Sequence, residues 1–200
     1  MEIESATFTK SSPEFRLCPD PVLPEFAFIG RSNVGKSSLI NMLTNKKKLA
    51  KISGTPGKTQ LINHFLINGS WYLVDLPGYG FAKTSKKNRA IWQKMINDYL
   101  LNRENLVTTF ILVDSRHEPQ KLDLELLRWF GENELPFVLV FTKSDKLSKA
   151  KKQHNIKHYQ EVLLGEWEEL PLSIISSSVQ KLGQAELLQL IEELVNSVQE

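Results

Sequence analysis

Gly30-Arg31-Ser32-Asn33-Val34-Gly35-Lys36-Ser37 matches the spacing G-x-x-x-x-G-K-[ST] and follows a short apolar run, Phe26 to Ile29. A helical pattern starts at about Ser37. A glycine-rich turn between a strand and a helix lets backbone N–H groups surround phosphate oxygens, and the helix adds the positive end of its dipole. A chance glycine-rich turn would lack this setting, so the sequence predicts a phosphate-binding loop.

The side chains of this loop have separate expected roles. Lys36 places a point charge on the phosphates, and the Ser37 hydroxyl is a candidate Mg²⁺ ligand. Gly30 and Gly35 supply conformations and clearance that other residues lack. The predicted phosphate-binding residues are Gly30, Arg31, Ser32, Asn33, Val34, Gly35, Lys36, Ser37, Ser38 and Gly78.

Apolar runs alternate with helical periodicity along the rest of the chain. Phe110 to Val113 and Phe137 to Phe141 are apolar at every position, which is typical of parallel strands buried on both faces. Leu61 to Ile67 and Trp71 to Val74 flank Asn68-Gly69, a pair that favours a hairpin turn. We therefore predict an α/β fold, a three-layer P-loop NTPase domain. Its sheet is mostly parallel with one antiparallel edge strand, and helices cover both faces.

The length of 200 residues fits one domain, which we place at 25–200, with an N-terminal extension at 1–24. Residues 2–9 form an extra edge strand or stay partly mobile, and the sequence leaves both open. No apolar run approaches the roughly 20 residues of a membrane helix. The N-terminus has no secretory pattern, and a single cysteine, Cys18, excludes an intramolecular disulfide. We expect a cytoplasmic protein without membrane contact.

The net charge of +2 hides an uneven distribution. Residues 1–100 carry 14 Lys and Arg against 7 Asp and Glu, whereas residues 101–200 carry 11 against 16. A basic half is compatible with a polyanionic partner such as RNA. The clusters Lys46-Lys47-Lys48 and Lys83, Lys86 and Lys87 are either RNA phosphate contacts or solvated loops.

Two further segments complete the predicted phosphate site. Asp75-Leu76-Pro77-Gly78 ends the strand Trp71 to Val74, so Asp75 would reach Mg²⁺ through water and the Gly78 N–H would sense the terminal phosphate. The glycine-rich segment from Ser53 to Gln60 is typical of a mobile switch loop. Its candidate residues are Thr55, Gly57, Lys58 and Thr59, and we favour Thr59 as the metal ligand because it directly precedes a strand.

Thr142-Lys143-Ser144-Asp145 follows another apolar strand and resembles the guanine-reading motif of GTP-binding proteins. A carboxylate at Asp145 accepts hydrogen bonds from guanine N1–H and the 2-amino group, whereas adenine lacks both donors. The Lys143 stem would lie over the base. Thr142 replaces the commoner Asn, which we expect to weaken one contact that braces the loop. Ser176-Ser177-Ser178 follows the last strand, where a backbone N–H would contact guanine O6.

Together these motifs make the chain resemble the EngB family of translation-factor-class GTPases. Pro56-Gly57-Lys58-Thr59-Gln60 and Leu76-Pro77-Gly78-Tyr79-Gly80 carry the more family-specific part of the resemblance, which spans nearly the whole chain. The resemblance implies a bacterial GTPase that binds GTP and GDP with Mg²⁺. It also implies a role in assembly of the large ribosomal subunit, from its rRNA and ribosomal proteins, with some members linked to cell division. We expect a monomer.

Tyr79 occupies the position where many GTPases have a water-orienting Gln. A tyrosine is a poor replacement, so we predict slow unassisted hydrolysis that a partner stimulates. The resemblance also implies a K⁺ site at Asn33, and the alternative is that Asn33 only braces the loop. A GTP-binding scaffold with almost no hydrolysis remains an alternative. A P-loop kinase is disfavoured, because the chain has a guanine motif and lacks an arginine-rich lid.

Overall fold

The computed structural model describes residues 1–50, 61–80 and 86–198. The predicted residues Thr55, Gly57, Lys58 and Thr59, as well as Lys83, lie outside the described residues. The strands are β1 (Ala6–Ser12), β2 (Glu25–Gly30), β3 (Ile62–Ile67), β4 (Trp71–Asp75), β5 (Leu106–Asp114), β6 (Phe137–Thr142) and β7 (Ser173–Ile175). The helices are α1 (Lys36–Leu43), α2 (Lys86–Asn102), α3 (Lys121–Glu132), α4 (Lys149–Leu164) and α5 (Gln184–Ser197).

The seven strands form one sheet in the order β1-β3-β4-β2-β5-β6-β7. Strands β4, β2, β5, β6 and β7 run parallel, and β3 is antiparallel to both of its neighbours. The predicted mostly parallel α/β sheet with a single reversed strand is confirmed. One detail of the prediction is wrong: the reversed strand is not at the edge, because β1 pairs with its outer side and becomes the edge strand.

Alternation along β2 explains the three layers. Phe26 and Phe28 point into a cluster that includes α1 and α5. Ala27 and Ile29 point into the opposite cluster, which α2, α3 and α4 complete. Successive side chains of a strand face opposite sides of a sheet, so a strand that is apolar at every position needs helices on both faces. All six residues of β2 are buried.

The N-terminal residues are attached to this sheet through the β3–β4 hairpin. Asn68 and Gly69 both have positive φ, as the Asn-Gly pair predicts. The Asn68 carboxamide accepts hydrogen bonds from the backbone N–H groups of Glu4 and Ser5 and donates one to the Glu2 carbonyl. Cys18 is buried in the cluster that contains α2. The sequence left an extra edge strand and a partly mobile segment open for residues 2–9. The edge strand is the one observed, and it spans Ala6–Ser12.

Candidate functional site

The predicted phosphate-binding loop joins β2 to α1, and its glycines are required by the geometry. Gly35 caps α1 with a φ of 107°, in the left-handed region that glycine favours. A Cβ on Gly30 would lie 2.8 Å from Val34 Cγ1 and 2.9 Å from the Leu112 carbonyl oxygen, so no larger residue fits. The structure thus brings the N-terminus of α1 to the carboxyl end of β2, which is an anion-binding arrangement.

Lys36 and Asp75 meet at the base of this loop. The Lys36 ammonium forms a short ion pair with Asp75 Oδ1, and the two side chains are only 10% and 5% exposed. They meet because β4 lies beside β2, with Asp75 in register with Phe28. This pairing would compete with a phosphate for the Lys36 ammonium.

The same corner offers oxygen ligands that suit Mg²⁺. The Ser37 hydroxyl belongs to the first turn of α1, next to the Lys36 that contacts Asp75. A hydroxyl and a carboxylate are the hard donors that this cation prefers. The residues present therefore fit a magnesium ion. No group of three or more His, Cys, Asp or Glu side chains in the described ranges is arranged to hold a metal, so the proposed ligands at this corner are one hydroxyl and one carboxylate.

The segment Asp75-Leu76-Pro77-Gly78 is attached to the phosphate-binding loop through the residue that follows it. The Tyr79 N–H donates to the Gly30 carbonyl, and the Ser32 N–H donates to the Tyr79 carbonyl, each at 3.2 Å. A Cβ on Gly78 would lie 3.0 Å from the Gly30 oxygen. The Tyr79 hydroxyl donates to Asp123 Oδ1 on α3 at 3.0 Å. The Tyr79 side chain is therefore bound to α3.

The loop after β6 is fastened to the phosphate-binding loop by two side chains. Lys143, with a φ of 58°, donates from Nζ to the Asn33 carbonyl at 2.5 Å. The Thr142 hydroxyl lies 2.7 Å from the Val34 carbonyl and 3.1 Å from the Val113 carbonyl. The Thr142 hydroxyl therefore braces this loop directly against the backbone of the phosphate-binding loop, and the expected weakening relative to Asn stays a prediction.

Asp145 is held by the serine loop that follows β7. Ser177 Oγ donates to Asp145 Oδ1 at 2.8 Å, and Lys146 Nζ lies 3.4 Å from Oδ2. The Ser177 hydrogen bond, and after it the backbone N–H of Asp145 and Lys146, hold the pKa of Asp145 below its ordinary value despite desolvation. The carboxylate is ionised at neutral pH and has lone pairs for two donors of a base.

Of the three predicted serines, two have their backbone N–H groups engaged. The Ser176 N–H donates to the Phe141 carbonyl at 2.7 Å, and the Ser177 N–H donates to the Leu182 carbonyl at 3.2 Å. Ser178 is half-buried and follows them at the same loop. Its N–H is therefore the candidate contact for a base oxygen.

Asp114 is a site residue that the sequence reasoning missed. It ends β5, and it accepts hydrogen bonds from Arg116 while Lys143 Nζ lies 2.9 Å from its Oδ2. Burial would raise the pKa of Asp114, but the hydrogen bonds from Arg116 and Lys143 outweigh it and lower that pKa to about 2. The signal was available, because Asp114 follows a uniformly apolar strand just as Asp75 does.

A cleft of about 170 Å³ lies between the phosphate-binding loop and the start of α3. Its wall combines cationic and acidic side chains from three loops that follow strands. The lining residues are Arg31, Ser32, Asn33, Val34, Asp114, Arg116, His117, Gln120, Asp123 and Lys143. The loops at the carboxyl ends of β2, β5 and β6 therefore converge, as ligand sites of parallel sheets do.

Residues 25–143 match the family model described as 50S ribosome-binding GTPase. The chain is 57% identical over 194 residues to "Probable GTP-binding protein EngB" of Porphyromonas gingivalis, covering 97% of this chain and 96% of the relative. The protein of the same name in Christiangramia forsetii is 52% identical over 198 residues, covering 99% and 100%. The chain belongs to the EngB family of GTP-binding proteins.

Solved structures agree with this membership. The crystal structure of "a probable GTP-binding protein engB" matches with a TM-score of 0.67 and 25% identity, over 86% of this chain and 99% of that one. Aquifex aeolicus Era bound to GDP and AlF₄⁻ matches with a TM-score of 0.68 at 22% identity, over 86% of this chain and 56% of that one, which shows the fold alone. No helix in the described part of this EngB-family chain is long and apolar enough to cross a membrane.

Proposed function

We propose that this protein is a GTP-driven switch that binds guanine nucleotides with Mg²⁺, hydrolyses GTP slowly and acts on the large ribosomal subunit during its assembly. The observation that carries the proposal is the ionised Asp145 carboxylate, held by Ser177 beside Lys143 at the carboxyl end of β6. It stands at the same edge of the sheet as the phosphate-binding loop. One site can therefore take both the base and the phosphates of a nucleotide.

The number of hydrogen-bond donors that a base presents to Asp145 explains the proposed selectivity for guanine. Guanine offers N1–H and a 2-amino group to the two carboxylate oxygens, and the Ser178 N–H would donate to O6. Adenine would leave the carboxylate without either donor, and an unpaired polar group at a binding site gives strong discrimination. Lys143, whose Nζ is fixed on Asn33 and Asp114, would present its stem to the base plane.

Several groups would change partners when Mg²⁺ and GTP bind. Lys36 would leave Asp75 for the phosphates, and Asp75 would then orient water on the metal. Ser37 would ligate the metal, together with Thr59 from the switch segment. The Gly78 N–H would sense the terminal phosphate. The metal would neutralise charge on the phosphates, and these residues of the chain would hold the metal and the phosphates in position.

Slow hydrolysis is proposed because no water-orienting group is evident at Tyr79, whose hydroxyl is bound to Asp123. K⁺ at Asn33 is one way to supply the missing positive charge. The Asn33 side chain is exposed, and its backbone carbonyl accepts from Lys143. Binding of K⁺ by the Asn33 side chain and bracing of the loop by its backbone carbonyl do not exclude each other. A comparison of the GTP hydrolysis rates in K⁺ and in Na⁺ decides whether K⁺ is used.

The ribosomal partner is supported by the description of the matched family model and by charge. Lys46, Lys47 and Lys48 are exposed directly after α1, in the basic half of the chain. A cluster of lysines attracts the phosphates of rRNA. The link to cell division rests on the family resemblance alone.

The test is single-turnover GTP hydrolysis with and without purified large ribosomal subunits, in K⁺ and in Na⁺. The expected rate alone is about 10⁻⁴ to 10⁻³ s⁻¹, the range of an unassisted small GTPase. Large subunits should raise it at least about tenfold, the effect expected when a partner supplies part of the transition-state stabilisation. Small subunits are the control and should leave the rate unchanged. Equal rates with and without either particle would favour the scaffold alternative.

A further inference from the structure

Tyr79 connects three parts of the nucleotide site. Its backbone exchanges two hydrogen bonds with the phosphate-binding loop, at Gly30 and Ser32. Its hydroxyl donates to Asp123 in the first turn of α3 at 3.0 Å. Burial, and then the charge of Asp123, raise the pKa of Tyr79 well above its ordinary value, so the hydroxyl remains a donor.

Asp123 is unusually buried for an acidic residue in the first turn of a helix. Its side chain is only 4% exposed, on the face of α3 that also buries Leu126, Leu127 and Phe130. The cation that faces it is Arg31, whose Nε lies 4.0 Å from Oδ1. Burying a carboxylate without a close ion pair is unfavourable, and burial raises the pKa of Asp123 to about 6. An apolar side chain at this position would cost less free energy to bury. Packing alone therefore does not explain why a carboxylate contacts Tyr79 here.

The next residue of the segment also lies against α3. Gly80 has a φ of 78°, and a Cβ there would lie 3.3 Å from Leu122 Cδ1 and 3.6 Å from Arg31 Nε. At the other end of the segment, Asp75 is paired with Lys36. Because this pair would compete with a phosphate for Lys36, we refer to the arrangement seen here as the resting arrangement.

We propose that Tyr79, Asp123 and Arg31 form a latch that holds the segment Asp75–Gly80 on α3 in the resting arrangement and thereby lowers the affinity for GTP relative to GDP. Tyr79 and Asp123 are positioning residues in this account, which rests on the proposed GTP-driven switch. A contact made in one of two conformations biases the equilibrium by its own free energy. Removing it favours the ligand that requires the other conformation.

The test measures the dissociation constants of GDP and of a non-hydrolysable GTP analogue for the wild type, Tyr79→Phe and Asp123→Leu. Loss of one hydrogen bond should raise the affinity for the analogue relative to GDP about fivefold in each variant. Asp123→Asn keeps a side-chain oxygen that accepts from Tyr79 and gives up only the 4.0 Å contact with the part-exposed Arg31, which contributes little. Its affinity ratio should therefore remain within about twofold of the wild-type ratio. The double variant Tyr79→Phe/Asp123→Leu should shift no further than either single variant.

Tyr159→Phe is the matched control. Tyr159 is also a buried tyrosine, on α4, and its hydroxyl has no hydrogen-bond partner in the described part of the chain. Its removal should leave the affinity ratio at the wild-type value. A purely structural role for Tyr79 would lower thermal stability without moving the ratio.

Two outcomes separate the latch from the function on which it rests. An unchanged ratio in folded Tyr79→Phe and Asp123→Leu, with tight guanine-nucleotide binding retained, overturns the latch alone. A shift towards GDP also overturns it. Failure of the wild type to bind either guanine nucleotide overturns the proposed function instead.

Discussion

At the scale of single residues, the Glu25 carboxylate contacts three side chains outside the nucleotide site. Its side chain is fully buried at the start of β2. Tyr99 donates to Oε2 at 2.6 Å, Arg103 Nη2 lies 2.5 Å from Oε1, and His64 Nε2 lies 3.2 Å from the same oxygen. These partners come from α2, from the residue just after it and from β3. One carboxylate therefore ties the central strand to the antiparallel end of the sheet.

Replacing Glu25 by Gln should lower the free energy of unfolding by about 3 to 5 kcal/mol, because the Arg103 guanidinium would be left buried without its counter-charge. Urea denaturation at pH 7 measures this loss. The control is Glu104→Gln at an exposed position nearby, where the change should stay within about 0.5 kcal/mol. A Glu25→Gln protein as stable as the control would contradict this assignment.

The contribution of Glu25 should also depend on pH. Burial would raise its pKa, but hydrogen bonds from His64 and Arg103 outweigh it and lower the pKa from 4.5 to about 2. A depressed pKa stabilises the fold above the unfolded-state value, and this stabilisation disappears as the pH falls towards the folded-state value. The stability difference between the wild type and Glu25→Gln should therefore shrink between pH 4.5 and about 2. A constant difference over that range would contradict the ionised state of Glu25.

At the level of strands and helices, the turn between β7 and α5 shows how tightly the connections are built. Gly183 caps α5 with a φ of 77°, and a Cβ there would lie 2.6 Å from the Ile175 carbonyl oxygen. Gly69, in the β3–β4 hairpin, has a similar φ of 65° but nothing within 4 Å of its Cβ position. The two glycines share the backbone requirement and differ in the space around them.

The two alanine substitutions should therefore differ in stability. Gly69→Ala should cost about 1 to 2 kcal/mol, the strain of a left-handed conformation. Gly183→Ala adds a clash with backbone, which should cost a further 1 to 3 kcal/mol or so. Thermal unfolding followed by circular dichroism compares the two variants. Equal losses would show that the turn before α5 relaxes freely.

Elements differ in how far the sequence predicts them. The central strands were predictable because β2, β6 and the run Phe110 to Val113 of β5 are apolar at nearly every position, which only a sheet covered on both faces can bury. Strand β1 was not, because its side chains are mostly exposed. It is a strand because its backbone pairs with β3, from Ala6 opposite Ile67 to Ser12 opposite Ile62. Pairing partners so distant in the chain leave no local signal.

The candidate site shows the same division between local and distant information. Lys36, Asp75 and Asp145 were predictable, since each stands in a motif directly after a strand. The bracing by Thr142 and the contact between Tyr79 and Asp123 were not, because both depend on distances between segments that the sequence does not specify. In the sequence, Asp123 is one more polar residue at the start of a helix, and only the structure shows that it is buried.

The whole molecule explains why motifs that are far apart in the chain form one site. Lys143 contacts the carbonyl of Asn33, which is 110 residues away. Strands β2, β4, β5 and β6 are parallel, so the loops that follow them all emerge at one edge of the sheet. A guanine nucleotide placed there would have its phosphates at the start of α1 and its base at Asp145.

Nucleotide binding by calorimetry, with GDP, a GTP analogue, ATP and xanthine nucleotides, should be measured on the wild type and on Asp145→Asn. Asp98→Asn, on the exposed side of α2, is the control. The wild type and the control should bind guanine nucleotides tightly without detectable ATP binding. Asp145→Asn should lose affinity for GDP at least about a hundredfold and gain xanthine binding, because the amide presents a donor where guanine also donates. Comparable binding of ATP and GTP by the wild type would contradict the account.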